Sequence, residues 1–169
     1  MNNLKKAAVA LSLATILTGC GGAKGPGTAK DGNEATIETA SMKLVTAVEN
    51  SNYQLVSTEE LKGWIDNQED MIIIDTMPAD SYTKNRIPGA VNAELPVKME
   101  DVTPEQREAF VKALGEDKGK KIVLYCGYVG CERSHVGGLI AEEEGFTNVY
   151  RQPGGIIAWI DAGNTVEKN

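Results

Sequence analysis

Two short runs, Met71-Ile72-Ile73-Ile74-Asp75 and Lys121-Ile122-Val123-Leu124-Tyr125, constrain the fold more than any other part of this chain. Each is almost unbroken apolar sequence rich in β-branched residues, where a strand wetted on one face would alternate. Strands buried on both faces belong to parallel sheets covered by helices. The intervening sequence fits that architecture. Thr58-Glu59-Glu60-Leu61 opens a helix running to about Asn67, with Ser57 or Thr58 as its N-cap. Pro78 opens a short helix to about Lys84, and Thr103-Pro104-Glu105-Gln106-Arg107 opens another that Gly115 closes. A helix from about Ser134 to Glu144 ends at Gly145, and Gly154-Gly155 turns into a last one through Ala158-Trp159-Ile160. Shorter strands are expected at 53–57, 90–95 and 148–151. The alternation predicts a single α/β domain with a mainly parallel central sheet and helices on both faces.

The chain has 169 residues and a net charge of −7, which argues against a nucleic-acid partner. One His and three Cys do not make a structural zinc site, and no metal is expected. Ahead of the domain, Lys5 and Lys6 precede the apolar run Ala7 to Leu17 and then small residues. That is the layout of a secretory signal, and the run is shorter than the roughly 20 residues of a membrane-spanning helix. Leu17-Thr18-Gly19-Cys20 resembles a bacterial lipobox, which implies removal of residues 1–19 and lipid attachment at Cys20. The expected location is extracytoplasmic, in the cell envelope, and the outer membrane if the host is Gram-negative. An acidic body gains nothing from an anionic membrane surface, so the membrane is expected to be met through the lipid anchor only. Residues 20–50 read as a Gly-rich tether with a short helix carrying Ile37, Met42, Leu44, Val45 and Val48, and the domain as 51–169.

Ligands of open α/β sheets bind outside the carboxyl ends of the strands. Cys126 stands at that edge, directly after the second apolar run. The loop Gly127-Tyr128-Val129-Gly130-Cys131-Glu132-Arg133 then leads into a helix. Its glycines let backbone N–H groups turn inward, and with the helix N-terminus they would form an anion nest that lowers the pKa of Cys126. Gly127, Tyr128, Val129 and Gly130 would then contact substrate through the loop, and Arg133 offers a fork of donors to an anion. Cys131 is a candidate resolving thiol or disulfide partner, the alternative being a spectator. Asp75 is expected to cap a turn, Arg86 and Arg151 to be exposed, and His135 to lie on the surface. Trp64 and Trp159 read as core, and Glu142-Glu143-Glu144 as a solvated helix face.

Three segments in order give this pattern a family. They are Ile74-Asp75 with Arg86-Ile87-Pro88-Gly89-Ala90-Val91-Asn92; Val123-Leu124-Tyr125-Cys126 with Arg133-Ser134; and Gly145-Phe146-Thr147-Asn148-Val149-Tyr150 with Gly154-Gly155-Ile156-Ile157-Ala158-Trp159. Together they resemble a single-domain rhodanese, a sulfurtransferase. The resemblance implies that Cys126 carries sulfur, cycling between thiol and persulfide without a cofactor. It implies a small anionic sulfur donor or protein persulfide (thiosulfate and polysulfide among the donors) and a thiol or cyanide acceptor. Two departures stand out. Met77 and Arg86 occupy positions where the family usually has Arg and His, and the stretch from Cys126 to Arg133 is two residues longer than usual. The longer loop leaves two other readings open: a phosphatase or arsenate reductase, and a non-catalytic sulfide- or redox-sensing module.

Overall fold

A computed structural model describes residues 33–169. The expected signal segment, Cys20 and the first part of the tether lie outside the described residues. The elements are α1 (Glu34–Glu49), β1 (Gln54–Leu55), α2 (Thr58–Asp66), β2 (Met71–Asp75), α3 (Ala79–Lys84) and β3 (Val91–Asn92), then α4 (Pro104–Leu114), β4 (Lys121–Tyr125), α5 (Arg133–Glu143), β5 (Val149–Arg151) and α6 (Gly155–Asp161). A single 3-10 turn, Met99–Asp101, precedes α4.

The two apolar runs are β2 and β4, paired along their whole length from Met71 opposite Lys121 to Asp75 opposite Tyr125. The sheet order is β1-β5-β4-β2-β3, and every pairing is parallel. Period-two alternation explains the unbroken apolar character of β4. Ile122 and Leu124 face one core with Ile74, Phe110 and Leu114 of α4, and Val136 and Ile140 of α5. Val123 and Tyr125 face the other with Ile73, Leu61 of α2 and Trp159 of α6. Helices therefore cover both faces, and each such aliphatic side chain contributes about 1.5–3 kcal/mol by its burial.

The local signals act as their chemistry dictates. Ser57 Oγ accepts from the Glu60 amide at 3.0 Å, and Thr103 and Gln106 form a reciprocal capping box. Gly115 ends α4 with a φ of 79°, in the left-handed region that glycine tolerates. Trp159 is buried, and Trp64 packs edge-on against Tyr150 at 5.0 Å.

Three expectations need correction. The compact unit spans Glu34–Asn169, so α1 belongs with the domain rather than with the tether, ahead of the boundary expected at residue 51. The helix buries Ala40 and Ala47, with Val48 packed against the core beside them, while Ile37, Met42 and Val45 stay exposed. Glu142-Glu143-Glu144 is not a free solvated face: Glu142 accepts from the Asn52 and Tyr53 amides, and Glu143 and Glu144 pair with Arg107. Among the described residues no helix is long and apolar enough to cross a membrane.

Candidate active site

Parallel pairing in register brings the ends of β2 and β4 level, so Cys126 and the residues after Asp75 leave the sheet at one edge. Cys126 is 1% exposed. Its sulfur donates to the Cys131 carbonyl at 3.2 Å and lies 3.4 Å from Ser134 Oγ, in the first turn of α5. The anion nest expected around Cys126 is therefore not what the loop builds. Burial, followed by the neighbouring Cys131 thiol, pushes the Cys126 pKa well above its ordinary value, while Ser134 lowers it only in part. A carbonyl aimed at the sulfur keeps a proton on it.

The stabilisation falls on Cys131 instead. This side chain is 8% exposed, and its pKa is lowered to about 6. The largest cause is the hydrogen bond from the Cys126 thiol. Burial opposes it, and the Gly127 and Arg133 amides and the Arg133 charge add to the lowering. The surroundings thus act in opposite directions on the two thiols, up on the inner Cys126 and down on the outer Cys131.

Arg151, expected on the surface, is wholly buried behind this pair. Its Nε donates to Ser134 Oγ at 2.9 Å, Nη2 to the Cys131 carbonyl at 2.9 Å and Nη1 to Tyr53 Oη at 3.3 Å. All three partners are neutral, and both hydrogen-bond partners of Cys126 sulfur are thereby held in place. His135, also expected on the surface, is half-buried, with Nδ1 2.9 Å from Tyr53 Oη. Burial, and then the Arg151 charge, lowers its pKa and keeps the ring neutral.

The remaining positions fall around this centre. Arg133 is half-buried and donates to the Leu95 carbonyl, which ties the loop to the segment after β3. Gly127 is buried, Val129 and Gly130 are half-buried, and Tyr128 is exposed. The Tyr128 ring folds over Gly130, where a Cβ would lie 2.8 Å from it. From the other side, the Ile156 and Ile157 amides of α6 donate to the carbonyls of Cys126 and Gly127 at 2.9 and 3.1 Å. That approach requires Gly155, at φ +63°, because a Cβ there would lie 2.4 Å from the Gly127 carbonyl carbon.

Asp75 caps the turn after β2 as expected, Oδ1 accepting from the Met77 amide at 2.8 Å. Burial raises its pKa to about 6 against the pull of the Met77 amide and the Tyr125 hydroxyl. Arg86 is neither exposed nor at the loop. It pairs with Glu167 at 3.1 Å and stacks on Tyr82, fastening the C-terminal segment. Outside the loop, α1 forms one wall of a cleft of about 680 Å³, whose other lining includes Lys98, Glu132 and His135.

Sequence reasoning missed Arg151, Ser134 and Tyr53. One signal for Arg151 was present: it stands two residues after Val149 on the same strand, and so on the same buried face.

A family profile described as "Rhodanese-like domain" matches residues 57–162. A tRNA uridine(34) hydroxylase of Acinetobacter baumannii is 30% identical over 95 residues, covering 56% of this chain and 28% of that protein. The chain thus spans little more than a quarter of that curated relative. Among solved structures, a thiosulfate sulfurtransferase from Pseudomonas aeruginosa superposes with a TM-score of 0.59 at 23% identity, covering 76% of this chain and 22% of that one. The polysulfide-sulfur transferase homodimer of Wolinella succinogenes gives 0.56 at 18% identity, covering 82% and 92%. With the profile spanning most of the folded residues and the sheet, loop and Cys126 arranged as described, the chain belongs to the rhodanese-like domain family.

Proposed function

We propose that this domain is a sulfurtransferase that takes sulfane sulfur from a small anionic donor or a protein persulfide onto Cys126 and passes it to a thiol or cyanide. The observation that carries the reading is the setting of Cys126 sulfur: at the end of the central strand, against the first turn of α5, with the buried Arg151 guanidinium one hydroxyl away. With thiosulfate as donor, the Cys126 thiolate attacks the outer sulfur, sulfite leaves with the bonding pair, and a persulfide remains on Cys126. Arg133, half-buried and donating to the Leu95 carbonyl, is the cation we assign to the donor's anionic end.

The phosphatase reading is less well supported. A tetrahedral oxyanion needs donors converging on the nucleophile. Here the Cys131 carbonyl, an acceptor, faces Cys126 sulfur at 3.2 Å. The test is intact mass after incubation with thiosulfate: one added sulfur, mapped to Cys126 and lost in Cys126→Ser. Hydrolysis of aryl phosphates without any sulfur uptake would reverse the assignment.

The N-terminal sequence supports an exported, lipid-anchored form of the same protein. Replacing Cys20 by Ser is expected to release the protein from membranes or to block its processing. Unchanged fractionation and mobility would remove the anchor from the proposal.

A further inference from the structure

We propose that Cys131 is the second reacting thiol of the loop: it takes the Cys126 proton as the donor is attacked, then displaces the transferred sulfur from Cys126 as hydrosulfide. The product on the protein is a Cys126–Cys131 disulfide. The inference rests on the persulfide reading of Cys126 and adds a second outcome to it, reductive release of sulfide in place of transfer to an outside acceptor.

Contact and access carry it. Cys126 sulfur lies 3.2 Å from the Cys131 carbonyl, so the two residues already meet across the loop, and the thiol that Cys131 carries there is drawn toward ionisation by the Gly127 and Arg133 amides. His135 cannot serve as that base through Nδ1, which is occupied by Tyr53 Oη. Access decides the second step. A persulfide has two sulfurs open to attack. Its outer sulfur extends away from the loop floor and is the one an outside thiol meets. The inner sulfur is that of Cys126, a residue only 1% exposed, and the residue against it that carries a second thiol is Cys131. Attack from within and attack from outside therefore reach different sulfurs and yield different products.

The steps balance. Cys126 S–H passes its proton to the Cys131 thiolate, and the Cys126 thiolate so formed takes the outer sulfur of the donor. This leaves an anionic persulfide on Cys126 beside a protonated Cys131. Cys131 sulfur then bonds to Cys126 Sγ as the bond from Sγ to the outer sulfur breaks. The departing sulfur keeps the electron pair and receives the Cys131 proton, leaving as hydrosulfide. One sulfane sulfur is reduced by two electrons, and two thiols are oxidised to one disulfide. An external dithiol reductant returns the pair to its starting state by thiol–disulfide exchange.

The test compares the parent with Cys131→Ser and Cys131→Ala in the full chain, with Cys20 replaced by Ser throughout so that the loop cysteines are the only thiols. Each is given thiosulfate with no outside thiol, and sulfide, sulfite and intact mass are followed, with thermal melts to verify folding. The parent is expected to release about one sulfide per chain and to end with both thiols blocked to alkylation and no added sulfur. The variants are expected to keep the added sulfur and to release sulfide only when a thiol is supplied. Stable persulfide in the parent, or equal sulfide release by parent and folded variants, would overturn the role of Cys131 and leave the transferase reading intact. Sulfur uptake by none of the proteins would overturn both.

Discussion

Arg151 Nε and Ser134 Oγ are 2.9 Å apart, and the same hydroxyl lies 3.4 Å from Cys126 sulfur, so a buried guanidinium is two contacts from that sulfur. No carboxylate pairs with Arg151 among the described residues, and its hydrogen-bond partners are the Ser134 and Tyr53 hydroxyls and the Cys131 carbonyl. A desolvated cation with neutral partners favours negative charge nearby. Arg151→Met is expected to slow persulfide formation about 10- to 100-fold, the kinetic equivalent of one lost charge-assisted hydrogen bond. Arg151→Lys, which keeps the charge but not the fork, should recover part of that loss. The pH at which the loop thiols begin to react should rise in the Met variant and hardly move in the Lys variant. A merely structural Arg would lower the melting temperature and leave that pH where it is.

The order in which the thiols ionise gives a second expectation. Cys131 is the outer, anionic member of the pair, and its thiolate fraction rises with pH through about 6. At neutral pH, brief treatment with iodoacetamide should label Cys131 before Cys126, and peptide mapping reads the order. Labelling of Cys126 first would mean that the Cys131 carbonyl does not hold its proton.

Asp75 makes stability depend on pH in an unusual direction for a carboxylate. Burial raises its folded pKa from 3.8 to about 6, so the folded protein binds the Asp75 proton more tightly than the unfolded chain does. The associated stability is fully present below about pH 4 and is lost as pH rises through 6. Asp75→Asn is expected to gain on the parent between those limits, by about 3 kcal/mol at most. Denaturant titrations across that range check it, and a constant difference between the two proteins would refute it.

Gly155 is the backbone position with least freedom. Ala there combines a left-handed φ with a Cβ placed 2.4 Å from the Gly127 carbonyl carbon and 2.5 Å from the Cys126 carbonyl oxygen. The substitution should cost about 2–4 kcal/mol in denaturant unfolding and should reduce sulfur loading in whatever remains folded. Gly145→Ala also has a positive φ but meets nothing within 4 Å. It should cost less and spare the loop.

The strands and helices of this domain were legible because each follows from a local pattern: the β-branched runs of β2 and β4, the Ser57 and Thr103 caps, the glycines that end α4 and α5. The position of Cys126 followed from the strand it ends. What lay beyond the sequence was the direction of single backbone groups. A Gly-containing loop is able to turn either its amides or a carbonyl toward a sulfur, and residue types do not say which. Here the Cys131 carbonyl points inward because Arg151 Nη2 holds it from behind. That Arg was misplaced because arginines are almost never fully buried unless paired, a rule that a site storing positive charge breaks. The same bias toward large side chains hid part of the contact face of α1, which packs through Ala40 and Ala47 as well as Val48.

The edge position of β1 sets an order of events for a chain being made from its N-terminus. Gln54 and Leu55 pair with Tyr150 and Arg151, partners 96 positions further along the chain. Contacts so distant in sequence are slow to form, since the chain between must first be gathered in. Cys126 is in place on β4 before β5 exists, but the guanidinium that orients its neighbours is not. A chain cut before β5 would carry Cys126 without the buried guanidinium that holds Ser134 and the Cys131 carbonyl. The setting of Cys126 is thereby completed only when β5 docks between β1 and β4.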